Sequence, residues 1–401
     1  MGKPKILIVD DEPFNVDYLE QELVELNYET ESATNGQEAL EKVAAGSPDL
    51  ILLDIMMPIM DGFEVLSRLK IEERTLNIPV IVISANSDLK SIVRGIELGA
   101  EDYLPKPFQP ALLKARISSS LEKKHLRDLE QQYLKSLERE LEIGHQIQLG
   151  FLPNELPKVD GWEIAAYFKA AREVAGDFYD VFLLPDGNLL SVIGDVCDKG
   201  VGAALFMALF RSLIRTTATS DLSSNKDVAT LIPAQRLKHI ISYTNNYITT
   251  THGDASMYAT IFISIFEPKS GMLAYMNCGH EPPYWVSSGG SITPLLPTGP
   301  LVGILPEAEF TTTEIALESG DLILAFTDGV QDAINENDES FGKERILEVL
   351  RNSDLSPDLL IQEIDNQLQL FIDGAKQFDD ITMLVMKRAG QKNSNGAVGA
   401  D

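Results

Sequence analysis

The chain is poor in cysteine, in basic residues and in long hydrophobic runs, and each shortage excludes a class of protein. Its 401 residues include only Cys197 and Cys278, too few for a disulfide framework or a cysteine-based zinc site. Lysine and arginine number 33 against 61 aspartates and glutamates, giving a formal net charge of −28. Such a chain repels nucleic acid and anionic membranes, because both are bound by neutralising phosphate groups with cations.

No run of eighteen apolar residues is present, and the most apolar stretch, 201–210, ends at Arg211. The N-terminal residues MGKPKILIVDD lead directly into a strand pattern and lack the architecture of a signal peptide. With 44% apolar residues, the chain is long enough for two folded domains. We therefore expect a cytoplasmic protein that binds neither nucleic acid nor membranes.

Short apolar strands alternate with helical patterns along the first 104 residues, which predicts a parallel sheet with helices on both faces. Five such units fit an α/β doubly wound, flavodoxin-like domain of strand order 2-1-3-4-5, whose switch point lies between strands one and three. The predicted strands include 5–10, 49–54, 78–85 and 102–104, and the predicted helices are 14–26, 36–45, 63–69 and 89–98.

From Gln109 to about Gly150 the chain is charged and lacks turn signals, which predicts one long helix. Two apolar sets with three-then-four spacing, 126/129/133 and 134/137/141, are out of phase by one residue. This pattern favours a linker that forms a coiled coil in a homodimer. The alternative is a single amphipathic helix that lies on its own domain.

The second domain combines at least seven strand patterns with three helical ones. The predicted helices are 202–215, 236–247 and 359–371, and residues 216–230 are polar and loop-like. We expect domains at 1–122 and 153–388, a helical linker at 123–152 and a disordered tail at 389–401.

Chemistry-bearing residues follow four strands of the first domain. Asp10 and Asp11 follow strand one, Asp54 ends strand three, Ser84 ends strand four, and Lys106 follows strand five. The carboxyl ends of these strands converge on one edge, where clustered carboxylates require a hard divalent cation such as Mg²⁺. Asp54 can then attack a phosphoryl group, while Lys106 pairs with the new charge and Ser84 donates a hydrogen bond to it.

The motifs ILIVDDEP, LILLDIMMPIMDGFEVL, VIVISA and DYLPKPF together resemble a two-component response-regulator receiver domain, over residues 4 to about 120. The resemblance implies a sensor histidine kinase or phosphotransfer protein as partner and a cis Lys106–Pro107 bond. It also implies the following roles: Asp54 as phosphoacceptor, Asp10, Asp11 and the backbone carbonyl of Met56 as further Mg²⁺ ligands, and Ser84, Tyr103 and Lys106 as switch residues.

Acids recur at the ends of four strand patterns in the second domain, and this is unusual enough to predict that those ends meet. Glycines beside two of the acids allow close approach of the backbone. Carboxylates that meet without histidine or cysteine should hold hard cations, and two such metals suit hydrolysis of a phosphoester by an activated water. The acids concerned are Asp177, Asp180, Asp195, Asp328, Asp379 and Asp380.

The motifs IQLGFLP, REVAGDFYD, GDVCDKGVGAALFMA, NCGHEPPYW, LILAFTDGVQDA and DDITMLV resemble the SpoIIE-type branch of PPM metal-dependent Ser/Thr phosphatases, over about 145–388. The resemblance implies an α+β fold, a β-sandwich of two antiparallel sheets flanked by helices, with two Mn²⁺ or Mg²⁺ ions. It also implies a phosphorylated anti-sigma-factor antagonist as substrate. The implied roles are Asp195 bridging both metals, Val196 binding through its backbone carbonyl, Asp328 and Asp379 holding the second metal, Asp177 acting through a bound water, and Asp380 as the neighbour that could exchange with Asp379.

Three residues depart from the family pattern: Asp198 stands where glycine is common, Ala175 replaces a small glycine or serine, and Glu281 stands where asparagine is frequent. None of these changes removes an expected metal ligand.

Three other functions compete with the phosphatase reading. One is an inactive phosphatase-like module that sequesters a partner when the receiver is phosphorylated. A second is a diguanylate cyclase, suggested by AGDFYD, although TDG and DDIT would then be unexplained. A transcription factor is disfavoured by the acidic charge and by the absence of a basic helix pair.

Overall fold

The computed structural model describes residues 2–85, 89–224, 231–351 and 355–389. The chain divides into two compact units, Met1–Glu138 and Arg139–Asp401, which we describe separately. The predicted disordered tail lies outside the described residues, apart from Ala389.

The first unit is a five-stranded parallel sheet of order β2-β1-β3-β4-β5, as predicted. Alternate residues of each strand point to opposite faces. Ile6, Ile8 and Leu52 therefore belong to one buried cluster, and Leu7 and Leu53 belong to the other. The strands are β1 (Lys5–Val9), β2 (Glu29–Ala33), β3 (Leu50–Asp54), β4 (Val80–Ala85) and β5 (Asp102–Lys106), and the helices are α1 (Pro13–Glu25), α2 (Gly36–Ala45), α3 (Gly62–Ile71) and α4 (Leu89–Glu97).

Helix α5 (Pro110–Leu149) is one continuous helix of 40 residues, which confirms the predicted long helix. Within the first unit Arg127 forms an ion pair with Glu101, and Lys124 forms one with Asp49. The predicted coiled-coil residues Leu126, Leu129, Tyr133, Leu134 and Leu137 are all exposed. Their exposure is compatible with a partner helix, so the homodimer stays a prediction.

The second unit contains two five-stranded sheets of orders β13-β10-β9-β8-β7 and β12-β11-β14-β15-β6. All strand pairs in them are antiparallel. The strands are β6 (Trp162–Lys169), β7 (Phe178–Leu183), β8 (Leu189–Val196), β9 (Ala259–Phe266), β10 (Met272–Cys278), β11 (Tyr284–Val286), β12 (Ile292–Pro294), β13 (Thr313–Ala316), β14 (Leu322–Phe326) and β15 (Ile381–Arg388).

Helices cover the outer faces of both sheets, so the layers run helix, sheet, sheet, helix. The inner faces share one apolar cluster, in which Ile193 and Phe262 of one sheet join Ile323 and Leu384 of the other. The first sheet packs its outer face on α6 and α7, and the second packs on α9 and α10. The helices are α6 (Val201–Ser224), α7 (Pro233–Thr251), α8 (Asp328–Gln331), α9 (Gly342–Arg351) and α10 (Pro357–Ile372). This is the predicted sandwich.

Helix α6 is longer than the sequence pattern predicted. The prediction of a polar loop at 216–230 is wrong for residues 216–224, and residues 225–230 lie outside the described part of the chain. The polar run stays helical because Thr217 and Ala218 continue the buried face of the helix. Tertiary packing therefore overrides the weak helix propensity of threonine and serine.

By length and composition alone, residues Val201–Thr219 of α6 could also cross a membrane. This is weak evidence, because the core helix of a folded domain passes the same test. Buried residues recur on α6 at spacings of three and four, as on a helix packed against a sheet. They are Ala203, Met207, Phe210, Ile214 and Ala218.

Candidate functional sites

The carboxylates at the edge of the receiver sheet lie together. Asp10, Asp11 and Asp54 each offer one oxygen, and these oxygens all lie within 4.8 Å of one another. Lys106 Nζ is 2.7 Å from Asp54 Oδ2 and 3.0 Å from Asp10 Oδ2. The sequence-predicted acids and lysine therefore share one pocket, whose all-oxygen donor set suits a hard divalent cation.

Burial and the charge of Asp10 raise the pKa of Asp54, although Lys106 opposes them. Burial lowers the pKa of Lys106, but its bonds to Asp54 and Asp10 outweigh burial and raise that pKa overall. The pocket thus holds a charged lysine beside Asp54, whose ionisation stays unfavourable even with that lysine in place.

The other residues predicted for the receiver site have separate surroundings. Ser84 Oγ is buried and has no hydrogen-bond partner among the described residues, so it is available to a group bound at Asp54. Tyr103 packs its ring under the guanidinium of Arg116, 5.4 Å from the ring centre. Met56 donates its backbone N–H to Asp54 Oδ1 at 3.5 Å. The Lys106–Pro107 peptide is cis, as predicted.

Sequence reasoning missed Asn15 in this pocket. Its side-chain amide donates to both oxygens of Asp10, each at 3.1 Å. The signal was present, since Asn15 lies on the first turn of α1, four residues after Asp11.

In the second unit, segments distant in the chain bring five acids into electrostatic contact. Asp195 is the penultimate residue of β8 and Asp328 begins α8, while Asp379 and Asp380 precede β15. Burial and the charges of Asp328 and Asp379 raise the pKa of Asp195 to about 7. Burial and Asp379 raise the pKa of Asp328 to about 6. These acids repel one another when ionised, which is the electrostatic signature of a cation site.

Asp177 is almost fully buried beside Asp195. Its Oδ2 accepts hydrogen bonds from Thr327 Oγ1 at 2.7 Å and from Thr382 Oγ1 at 2.5 Å. Burial and the charges of Asp195 and Asp380 raise the pKa of Asp177. Sequence reasoning missed both threonines, although each is one or two residues from an acid in FTDG and DDIT.

The neighbours Asp379 and Asp380 have different surroundings. Asp380 accepts the backbone N–H of Ala171 on one oxygen and that of Gly176 on the other, both at 2.8 Å. Asp379 instead lies 2.8 Å from Lys199 Nζ through its Oδ2. Both oxygens of Asp380 are thus hydrogen-bonded to the loop that precedes β7, whereas Asp379 is paired with the partly exposed ammonium group of Lys199.

One acid of the sequence pattern lies elsewhere. Asp180 is inside β7, fully buried, and forms ion pairs with Arg211 and Arg215 of α6. The expectation that it joins the cluster is wrong, because the period of two along a strand separates it from Asp177.

Cys197 and His280, which lie in two of the quoted motifs, are held by local hydrogen bonds. Cys197 accepts the backbone N–H of Tyr258, and burial raises the pKa of its thiol. His280 is buried, its Nδ1 lies 2.9 Å from Thr260 Oγ1, and burial lowers its pKa to about 4. Among the residues that the structure describes, neither side chain contacts a group that would make it half of a nucleophile–base pair.

The departure at Asp198 has a backbone explanation. Its φ is 72°, in the left-handed region that glycine adopts freely and aspartate tolerates better than most residues. Its Oδ1 accepts the backbone N–H of Lys199 at 2.8 Å. The side chain of Asp198 is therefore hydrogen-bonded to the backbone of its own loop.

The donors of the second cluster are carboxylate oxygens, a set that fits Mn²⁺ or Mg²⁺. Among the residues that the structure describes, no three of these acids bring one oxygen each within 4.8 Å of one another. Gly329 lets α8 pack closely against the backbone of Asp380, since a Cβ at this position would overlap the carbonyl oxygen of Asp380.

Comparisons with known proteins agree with both halves of this geometry. The family model of the response regulator receiver domain matches residues 6–118, and that of Stage II sporulation protein E (SpoIIE) matches residues 185–389, just over half of the chain. The chain belongs to the SpoIIE family. It joins a SpoIIE-type domain to a receiver domain.

Two curated relatives and one solved structure place this SpoIIE-family chain more closely. Protein IcfG of Synechocystis sp. is 43% identical over 262 residues, 62% of this chain and 41% of IcfG. The probable transcriptional regulator ycf27 of Cyanophora paradoxa is 39% identical over 158 residues, 39% of this chain and 62% of that protein. The chain thus spans less than two thirds of either relative.

The fold of the SpoIIE-type half has a solved counterpart. The SiaA-PP2C domain of Pseudomonas aeruginosa superposes with a TM-score of 0.54 at 21% identity, covering 64% of this chain and 98% of that domain. At this identity the likeness concerns the fold, which is therefore PP2C-like.

Proposed function

We propose that the chain is a response regulator whose SpoIIE-type domain hydrolyses phosphoserine or phosphothreonine in a protein, under control of phosphorylation at Asp54. The observation that carries the proposal is the gathering of Asp195, Asp328 and Asp379 from three separate segments. Burial and mutual repulsion raise the pKa of Asp195 to about 7 and that of Asp328 to about 6, and a bound cation would stabilise the ionised form of both carboxyl groups.

We assign the second cluster to two Mn²⁺ or Mg²⁺ ions. Asp195 and the Val196 carbonyl would hold one ion, with Asp195 bridging to a second held by Asp328 and Asp379. Bound there, such ions lower the pKa of a water and stabilise charge developing on phosphorus. Asp177, fixed by Thr327 and Thr382, orients a water of this centre, and Asp380 holds the loop that carries Asp177.

In the receiver, Asp54 accepts the phosphoryl group from a sensor histidine kinase or phosphotransfer protein. Asp10, Asp11 and the Met56 carbonyl would hold Mg²⁺ beside it. Lys106 pairs with the phosphoryl oxygens, and Ser84, whose hydroxyl has no partner among the described residues, donates a hydrogen bond to them. Tyr103 follows this change as the switch aromatic.

The substrate class rests on family resemblance: a phosphorylated anti-sigma-factor antagonist in a partner-switching pathway. A local basic surface on that partner would complement the net charge of −28. We further propose a cytoplasmic homodimer paired through the exposed residues of α5, with phosphorylation of Asp54 activating the phosphatase.

The test is hydrolysis of phosphoserine and phosphothreonine peptides by the full chain, with and without Mn²⁺. Asp195→Asn and Asp379→Asn should each lower kcat by about a hundredfold or more, because each removes a ligand charge. Asp358→Asn, an exposed acid in the first turn of α10, is the matched control and should stay within twofold.

Loss of activity in both variants but not in the control supports the proposal. Wild-type protein that binds Mn²⁺ and a phosphorylated partner but releases no phosphate would overturn it in favour of a sequestering module.

A further inference from the structure

The side chain of Gln148, in the last turn of α5, is bound to the loop that carries Asp177. Its Nε2 donates to the carbonyl oxygen of Ala175 at 2.6 Å, and its Oε1 accepts the backbone N–H of Ala175 at 2.9 Å. Gln148 is 4% exposed and Ala175 is 1% exposed. One primary amide thus satisfies both backbone groups of a buried residue, as a neighbouring strand would.

The same loop is held from its other side by the acid cluster. Asp380 accepts the N–H groups of Ala171 and Gly176, and Gly176 packs so closely on the Val196 carbonyl that a Cβ would lie 2.8 Å from that oxygen. The next residue is Asp177. The loop therefore lies between a helix side chain and the candidate metal centre, with no slack at Gly176.

The contact tolerates only one register of the helix. The neighbours of Gln148 are Ile147 and Leu149, both apolar and exposed. If α5 rotated or slid by one residue, an apolar side chain would face Ala175 and its buried N–H and C=O would lose their partners. Leaving both buried backbone groups unpaired is unfavourable, which opposes such a shift of the helix.

We infer that Gln148 is a positioning residue through which α5 controls the site. It holds residues 171–177, which include Asp177, in the position that hydrolysis requires. The inference rests on the proposed phosphatase function and identifies the contact by which that function is regulated. It predicts that residues 171–177 become more mobile whenever the two hydrogen bonds between Gln148 and Ala175 are broken, either by mutation or by a movement of α5.

Three variants of the full chain test this. Gln148→Leu keeps the size and removes both hydrogen bonds, and Gln148→Glu keeps the acceptor and removes the donor. Gln146→Leu is the matched control, because Gln146 lies on the same helical turn, is exposed, and its side chain donates to Glu142 of the same helix. Each variant is assayed with Mn²⁺ on a phosphoserine peptide, with the receiver free and with beryllofluoride bound.

Gln148→Leu should lower kcat by about tenfold with KM within twofold, since two hydrogen bonds that position Asp177 are lost while substrate contacts stay. It should also bring the ratio of the beryllofluoride and free rates close to one. Gln148→Glu should lie between, and Gln146→Leu should match the wild type. A Gln148→Leu protein that keeps both kcat and that ratio overturns the inference, as does one that loses only thermal stability.

A second measurement is independent of activity. Hydrogen exchange of the 171–177 amides should be at least tenfold faster in Gln148→Leu than in Gln146→Leu. If the wild type hydrolyses nothing, the proposed function fails, and this exchange result still decides whether Gln148 holds the loop. Equal exchange in the two variants overturns the inference even in an active enzyme.

Discussion

His280 shows how one buried side chain makes the stability of the fold depend on pH. The ring is buried, and its Nδ1 lies 2.9 Å from Oγ1 of Thr260, the register partner of Asp195. The backbone N–H of His280 donates to Asn277 Oδ1 at 2.8 Å. Burial lowers the pKa of His280 from 6.5 to about 4. The unfolded chain therefore binds a proton between pH 6.5 and 4 that the folded chain does not.

We predict that the second unit loses up to about 3 kcal/mol of unfolding free energy through His280 as the pH falls from 6.5 to 4. The measurement is urea unfolding followed by tryptophan fluorescence, because both tryptophans, Trp162 and Trp285, lie in the second unit. His280→Gln removes the proton uptake, so the plot of unfolding free energy against pH should become flatter between pH 6.5 and 4. Parallel curves for the two proteins would show that His280 does not titrate as predicted.

The first turns of α8 and α6 show how a glycine decides how closely a helix can approach a neighbouring element. Gly329 is the second residue of α8 and packs against the Asp380 backbone, whereas Gly202 is the second residue of α6 and has open space around its Cα. Neither has a positive φ, so the difference between them is contact alone.

We predict that Gly329→Ala lowers the unfolding free energy of the second unit by about 1–3 kcal/mol or more and abolishes Mn²⁺-dependent hydrolysis, because α8 must move away from β15. Gly202→Ala should be neutral or should stabilise by up to about 1 kcal/mol, since alanine favours the helix. Tryptophan-detected unfolding and the peptide assay measure both. Equal effects of the two substitutions would contradict the close contact at Gly329.

At the level of the whole chain, a receiver and a SpoIIE-type domain are connected by one helix, so the input and the output can be linked. The proposed phosphorylation of Asp54 would add charge at the edge of a packed sheet, next to Lys106 and Ser84. A phosphoryl group can shift the output only by as much as it favours one of two arrangements, commonly a factor of about 5 to 150.

We predict that beryllofluoride bound at Asp54 changes kcat of the full chain at least fivefold, in the direction of activation. Asp54→Asn should give the same rate with and without beryllofluoride. Receiver occupancy is verified by a mobility or fluorescence change before the rates are compared. An unchanged rate in a receiver shown to be occupied would refute the coupling.

The sequence by itself determined the order of the elements, the two fold classes and the set of acids, because these depend on local periodicity and on residue chemistry. The parallel sheet order and the long α5 followed from patterns that a few neighbouring residues carry, whereas the paired sheets of the second unit were implied by the family resemblance. The short strands β11–β13 and the helices α8 and α9 did not, since three to ten residues with mixed polarity carry little periodicity.

Tertiary structure alone decided what each acid touches. Asp180 and Asp177 look alike in the sequence, yet one pairs with arginines of α6 and the other with two threonines. Gln148 could be assigned to Ala175 only once the helix register was known. These partners are 27 to 205 residues apart, and strand and helix packing, which no local pattern encodes, brings them within hydrogen-bonding distance.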